Sequence, residues 1–257
     1  MGMNKVEPIK RLLLDIETAP HRVYTWGMWG QDIHMDQIEE PGYTLCWAAK
    51  WYGEKEVLFS SIRDGKKKML GGIWKLLDEA DAVVHYNGAK FDIPILNQEF
   101  VQIGWKPPSP YQQIDLLRVV KSRFRLASNK LDYVAQAMGL EGKVQHKGMD
   151  LWKGCMAGWE EDWEVMEVYN KRDVTILDDL YERLLPWIPN HPNMALHLDG
   201  DVAACPNCGG TDLIRKGYAF TKTMRYQRFK CKGCGTWMRA RATDLPKERR
   251  ASVLNAI

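Results

Sequence analysis

The 257-residue chain has no apolar run near the roughly 18 residues that mark a membrane span, which excludes a helical membrane protein. Its first residues, MGMNKVEPIK, lack the apolar core of an export signal, so a cytosolic setting is expected. Internal repeats and low-complexity segments are also missing, which excludes solenoids and compositionally disordered chains. With 45% hydrophobic and 27% charged residues, the composition is that of a soluble protein with one sizeable core and room for a small satellite module.

Cysteine is sparse but unevenly placed. Cys46 and Cys155 stand alone in apolar or aromatic surroundings and read as small buried hydrophobes. Cys205, Cys208, Cys231 and Cys234 form C-x2-C-x22-C-x2-C, with a glycine after each second cysteine to allow a tight turn. In a chain without export signals this spacing reads as two knuckles around one structural Zn²⁺, closed by four thiolates.

The net charge of +3 conceals an asymmetry. From Cys205 to the end, 12 Lys and Arg stand against 3 Asp and Glu, a balance of +9; the other 204 residues hold 24 against 30, a balance of −6. Such a segment either meets a polyanion or is a solvated basic tail. Around the cysteines, Arg215, Lys216, Lys222, Arg225, Arg228, Lys230, Lys232 and Arg239 interleave with Tyr218, Phe220, Tyr226, Phe229 and Trp237. That mixture suits phosphate contacts and base stacking, against the alternative of a protein-docking ribbon whose aromatics form its own core.

Periodicity predicts strands at 9–17, 44–52 and 56–61, the last two a hairpin around Gly53, with an irregular insert between the first two. Trp26 and Trp29 in that insert are expected to cover the core. KKKMLGGIWKLLDEA reads as an amphipathic helix weakened at Gly71 and Gly72, DAVVHYN as a short buried strand, and KFDIPILNQEFVQIG as helical in its second half. QQIDLL reads as another strand end, SNKLDYVAQAMGL as a Ser- or Asn-capped helix ending at Gly139, and 160–185 as a long helix closed by Pro186. In that helix Val165, Val168, Ile176, Leu177, Leu180 and Leu184 are assigned to the buried side.

One α/β domain is therefore expected over 1–188, then a linker over 189–203, a zinc ribbon over 204–241 and a basic tail over 242–257.

Asp15 and Glu17 end the first strand two residues apart, so both project from one face. A D-x-E pair can cap a strand in solvent or hold a hard divalent cation between its carboxylates. Asn87 and Asp92 follow the strand DAVVH, with Phe91 and the apolar residues after it anchoring the turn. Tyr169 and Asp173 stand at i and i+4 on the long helix, beside its apolar stripe.

In order and spacing, DIE at 15–17, NGAKFD at 87–92 and YNKRD at 169–173 resemble the three motifs of the DEDDy-type 3′→5′ exonucleases. NKLDYVAQAMGL followed by KVQHKG is similar to the exonuclease domain of family B DNA polymerases. The resemblance spans about residues 9–186 and includes no polymerase region. It implies a ribonuclease H-like mixed sheet flanked by helices and two catalytic Mg²⁺ or Mn²⁺ ions. Asp15 would bridge the ions, Glu17 and Asp173 would hold the ion carrying the attacking water, and Asp92 would support the other. Tyr169 would orient the water, and Asn87 and Phe91 are the substrate contacts. Asp115 and Asp132 read as helix caps or surface acids, His85 as a strand-end histidine, and His146 as a loop residue near phosphate or in solvent.

The function expected is a stand-alone 3′→5′ exonuclease, on DNA more than RNA, preferring single-stranded or frayed 3′ ends, with the ribbon assisting nucleic-acid binding. Alternatives are a 3′→5′ exoribonuclease, a structure-selective endonuclease, and a non-catalytic nucleic-acid-binding protein. A replication or repair protein partner and no membrane partner complete the expectation.

Overall fold

The leucines of RLLL pack on both sides of the first strand, as a central position in a sheet requires. Leu12, Leu13 and Leu14 are at most 1% exposed in a computed structural model of the chain, which describes residues 9–199 and 201–254. Residues 1–8 of the amino-terminal stretch and 255–257 of the expected tail lie outside the described residues. The chain divides into two units, Lys10–Tyr181 and a second built on residues from Glu182 onward.

In the first unit, β1 (Arg11–Thr18) is followed by β2 (Arg22–Val23), β3 (Ile38–Glu40), β4 (Thr44–Trp51), β5 (Leu58–Ser61), α1 (Lys66–Glu79) and β6 (Ala82–His85). Then come α2 (Asp92–Gln102), β7 (Gln112–Asp115), α3 (Leu116–Arg123), α4 (Leu131–Ala137), α5 (Met149–Ala157) and α6 (Glu160–Leu184). The five-stranded sheet has the order β5-β4-β1-β6-β7; β1 runs antiparallel to β4 and parallel to β6. This is the mixed sheet expected. The β4–β5 turn holds Gly53 at φ 88°, a left-handed conformation that glycine adopts freely.

Alternation along β1 sends Leu12, Leu14 and Ile16 to one face, where Met69, Leu70, Ile73 and Leu77 of α1 and Ile93, Leu96 and Phe100 of α2 cover them. The opposite face of the sheet, with Leu45 and Cys46, meets Leu151 and Cys155 of α5 and Trp163, Met166 and Tyr169 of α6. Gly72 proves to be a packing requirement in α1, because a Cβ there would stand 2.8 Å from the Trp47 ring. Trp47 in turn donates its indole N–H to the Met69 carbonyl at 2.8 Å.

Several expectations are corrected. Trp26 is fully exposed and Trp29 is 85% exposed, so neither covers the core. Helix α2 begins at Asp92 rather than halfway along its segment, since Pro94 falls in the first turn where a missing N–H costs nothing. Lys130, not Ser or Asn, precedes α4, and no side chain caps it. In α6, Val165 and Val168 are exposed, and the buried stripe runs through Trp163, Met166, Asn170, Asp173, Val174, Leu177 and Tyr181. Polar residues therefore occupy interior positions of the stripe.

In the second unit, β8 (Leu213–Phe220), β9 (Arg225–Cys231) and β10 (Trp237–Arg239) form an antiparallel sheet ordered β10-β9-β8, followed by α7 (Lys247–Ala251). The proline-rich segment before it is tied to the first knuckle. Met194 N–H donates to the Pro206 carbonyl at 2.7 Å, and the buried Asn207 amide donates to the Leu185 carbonyl at 2.7 Å.

Candidate active site

Pairing decides where the acids meet. Strand β6 pairs with β1 only over Arg11–Leu13, so beyond Leu13 that edge of β1 opens while β4 continues on the other side. This divergence of neighbours at a strand's carboxyl end is where open α/β sheets place their sites. The freed N–H of Ile16 donates to Asp92 Oδ1 at 3.1 Å, so the first residue of α2 completes the edge that β6 leaves.

Asp15 and Glu17 face α6. One carboxylate oxygen from each, with one from Asp173, lie within 4.8 Å of one another. Asp92 stands beside Asp15, outside that compact set, bound to the Ile16 N–H. Burial raises Asp15 well above the ordinary carboxylate range, and the charges of Asp92, Glu17 and Asp173 add to it. Burial pushes Glu17 up to about 8, with Asp173 contributing next. Burial likewise lifts Asp92 to about 7, against the N–H groups of its own helix end and of Ile16. Four carboxyl groups drawn from water and crowded together favour a cation among them.

One cation is already present. Lys143, in the loop after α4, forms an ion pair with Asp173 Oδ2 and donates to the Tyr169 hydroxyl at 2.9 Å. Burial works against its charge, yet Asp173 and Tyr169 prevail and hold the ammonium above its ordinary range. The other oxygen of Asp173 is buried without a hydrogen-bond partner, an open acceptor on a residue 1% exposed. That orphan acceptor, the crowding and a lysine standing where positive charge is wanted fit hard divalent cations held by oxygen ligands.

Sequence reasoning missed two residues. Lys143 lies in KVQHKG, a stretch in which only His146 drew attention, and nothing short of the fold shows that it reaches Asp173. Asn170 sits inside YNKRD; it is fully buried and donates its amide to Asp15 Oδ2 at 2.7 Å.

Supporting residues are more deeply built in than their sequence positions suggest. Asp132 Oδ1 accepts the Lys143 N–H at 2.8 Å and so anchors the lysine's loop. Asp115 caps α3 through the Leu117 N–H and also accepts the Asn87 N–H at 3.0 Å, stabilising the turn in which Asn87 has φ 70°. His85 is fully buried at its strand end, held by Gln113 at 3.1 Å and kept neutral by burial. His146 packs edge-on against Tyr169, with ring centroids 4.9 Å apart, and against Trp152.

Tyr169 lies one helical turn before Asp173, its phenol raised by burial and by the Asp173 charge, so it remains protonated at neutral pH. The Asn87 side chain makes no hydrogen bond among the described residues, and Phe91 is 42% exposed. Phe91 borders a cavity of about 260 Å³ with Thr18, Pro20, His21 and Tyr43, beginning one residue beyond Glu17.

The four cysteines of the second unit also converge. Cys205 and Cys234 sulfurs are 3.6 Å apart, as are those of Cys208 and Cys231, and all four lie within 4.8 Å. Four thiolates at about 2.3 Å from one zinc would stand about 3.8 Å from each other, so the set fits that ion. Gly209 and Gly235, at φ 77° and 82°, allow the turns expected of them.

On the ribbon sheet, Trp237 pairs with Lys230 and Arg239 with Arg228. Arg228 stands 4.9 Å from the Trp237 ring centroid, with Lys216 and Lys230 at 5.8 Å, and Arg239 lies 4.0 Å from the Tyr226 ring. Trp237 is 47% exposed and Phe220 74%, so these aromatics do not form a private core.

No curated protein matches the chain. Among solved structures, the family B DNA polymerase from the hyperthermophilic archaeon Pyrobaculum calidifontis is similar, at 21% identity and a TM-score of 0.53. The likeness covers 70% of this chain and 25% of the polymerase, so the chain spans about a quarter of that protein's length. A family model described as the RNase_H superfamily matches residues 12–185, the stretch that carries β1, the Asp92 helix and Asp173. The chain, with its mixed sheet and its acids gathered at the open edge of β1, belongs to the RNase_H superfamily.

Proposed function

We propose that the protein is a metal-dependent 3′→5′ exonuclease that hydrolyses DNA phosphodiesters, preferring single-stranded or frayed 3′ ends. The observation that carries this reading is the convergence of Asp15, Glu17 and Asp173 within 4.8 Å, with an unpartnered Asp173 oxygen. Asp15, Glu17 and Asp173 would hold one Mg²⁺ or Mn²⁺, and Asp15 with Asp92 a second. Bound there, such a pair supplies a nucleophilic hydroxide at neutral pH and compensates charge on the leaving 3′ oxygen.

The chain's own groups do the positioning. The Tyr169 hydroxyl orients the attacking water as a protonated hydrogen-bonding group, and the His146 and Trp152 rings hold it in place. Asn170 fixes the Asp15 carboxylate. Asn87 offers a free amide to the nucleotide end, while Phe91 and Tyr43 supply ring surface for a terminal base in the adjoining cavity.

Domain limits of 1–188 for the nuclease, 189–203 for the connection, 204–241 for the ribbon and 242–257 for the tail accompany this reading, as does a cytosolic location. The ribbon would hold one Zn²⁺, and its exposed mixture of rings and cations would grip the nucleic acid. Preference for DNA over RNA draws support from the fold shared with a DNA polymerase.

The test is a panel of end-labelled single-stranded DNA, its RNA counterpart and a covalently closed DNA circle, each with Mg²⁺ or Mn²⁺. Stepwise shortening from the 3′ end of linear DNA, lost in Asp15→Ala, is the expected result. Equal digestion by the variant would remove this site from the chemistry. Cleavage of the circle would establish an endonuclease, faster loss of RNA an exoribonuclease, and binding without cleavage a non-catalytic protein.

A further inference from the structure

A second concavity lies far from the acids. Its volume is about 430 Å³, and it is lined by Gly71, Trp74 and Lys75 of α1 and by Gly104, Trp105 and Lys106 after α2. Asp92 opens α2 and the cavity lies just past that helix's other end, so the 11 residues between place it roughly 16 Å away.

The indole N–H of Trp74 is already used, donating to the Lys106 carbonyl at 2.9 Å, so its ring offers only carbon to the cavity. Trp105 is braced from behind by Phe100, with ring centroids 6.2 Å apart and planes 25° from parallel. Two glycines also line it, and the walls present almost no polar surface.

The rim is cationic. Lys75 and Lys106 are exposed, line the cavity, and have no carboxylate partner among the described residues. The nearby acids are engaged elsewhere: Asp78 accepts the Ser109 N–H at 2.7 Å and its hydroxyl at 2.8 Å, and Glu79 pairs with Lys10. An apolar well between two unpaired ammonium groups selects a ligand with a large hydrophobic group and flanking negative charge.

Nucleotides and acidic peptides share that description, and the walls distinguish them. The walls offer almost no polar atom to match a nucleobase's hydrogen-bonding edges, so nothing in them would select a base. A phenylalanine or leucine side chain has no such edges.

We propose that this cavity is a docking site for an acidic segment of a partner protein, which inserts one large apolar side chain between Trp74 and Trp105 and sets carboxylates on Lys75 and Lys106. The site is separate from the acid cluster, so the nuclease reading and this one stand or fall apart. It would tether the protein to its partner while leaving the sheet edge free.

The experiment measures fluorescence polarisation of a labelled peptide, Asp-Glu-Asp-Leu-Phe, titrated with the full chain. The comparison probes are Asn-Gln-Asn-Leu-Phe, Asp-Glu-Asp-Gly-Gly and adenosine monophosphate. Saturable binding of the first peptide at roughly 10–100 µM is expected, with both altered peptides at least about tenfold weaker. Combining Lys75→Glu with Lys106→Glu, both exposed positions, should weaken binding by roughly tenfold or more while leaving cleavage of short oligonucleotides unchanged. Equal affinity in that variant, equal binding of the uncharged peptide, displacement of the bound peptide by the nucleotide at lower concentration than by unlabelled peptide, or no saturation by about 1 mM would each overturn the proposal.

Discussion

Asn170 gives the sharpest test of how the acid cluster is held. It is fully buried and donates to Asp15 Oδ2 at 2.7 Å, while its own oxygen faces the Cys46 thiol at 3.7 Å. Asn170→Ala leaves an Asp15 oxygen without its partner, at a cost of roughly 1–3 kcal/mol. For a unit of this size each kcal/mol shifts Tm by about 2–4 °C, so a fall of roughly 2–12 °C in chelator is expected. Freed from the amide, Asp15 can rotate away from Glu17 and Asp173. Loss of a group that orients a metal ligand typically weakens metal affinity or activity about 10–100-fold. The assay is therefore cleavage rate against Mg²⁺ concentration. The half-saturating concentration should rise by that factor, with much of the maximal rate recovered at high Mg²⁺. A folded Asn170→Ala protein whose Mg²⁺ dependence stays within about twofold of the parent would refute the idea that this bond positions Asp15.

Other consequences follow from the same structure. Because Glu17 is raised to about 8 by burial and Asp173, the metal-free fold binds more protons than the unfolded chain between the ordinary carboxylate range and about pH 8. Its stability should fall as pH rises through that window, and the rise in Tm on adding Mg²⁺ should grow from pH 5 to pH 8; a Mg²⁺ effect independent of pH would contradict this. Metal analysis should find about one tightly held zinc per chain, and Cys231→Ser should lose it together with the ribbon's near-ultraviolet dichroism, since Cys205 and Cys231 are among the ribbon's few buried residues. Deleting 204–257 should weaken DNA binding and flatten its salt dependence while short oligonucleotides are still cut; an unchanged salt slope would deny the ribbon a DNA role. Gly154→Ala would place a Cβ 1.5 Å from the Asp162 carboxylate, so a loss of about 1–3 kcal/mol by thermal melting is expected where α5 meets α6.

Much of the architecture could be read from pattern because burial enforces it. RLLL announced a central strand, KKKMLGGIWKLL a helix, and Gly53 the hairpin turn, each through periodicity or a backbone requirement. The acids could be picked out because Asp15 and Glu17 lie towards the end of β1, Asp92 opens α2 and Asp173 follows Tyr169 by one turn of α6. What escaped was set by tertiary contact. Trp26 and Trp29 are apolar, yet no periodic element carries them inward, and they stand in solvent. Val165 and Val168 looked like core but fall on the exposed side of α6, while Asn170 and Asp173 are buried and held by contacts to Asp15 and Lys143. Lys143 reaches Asp173 from thirty residues away in sequence, through a loop anchored on Asp132, and no local spacing encodes that.

The ion pair between Lys143 and Asp173 has a bearing on assembly. With a resident ammonium balancing part of the clustered charge, the strand edge and α6 can close on one another during folding before any divalent ion arrives. A divalent ion would then meet the open Asp173 oxygen while Lys143 keeps the other. On that reading chain folding and ion loading are two separable events. The second can be reversed by a chelator without undoing the first.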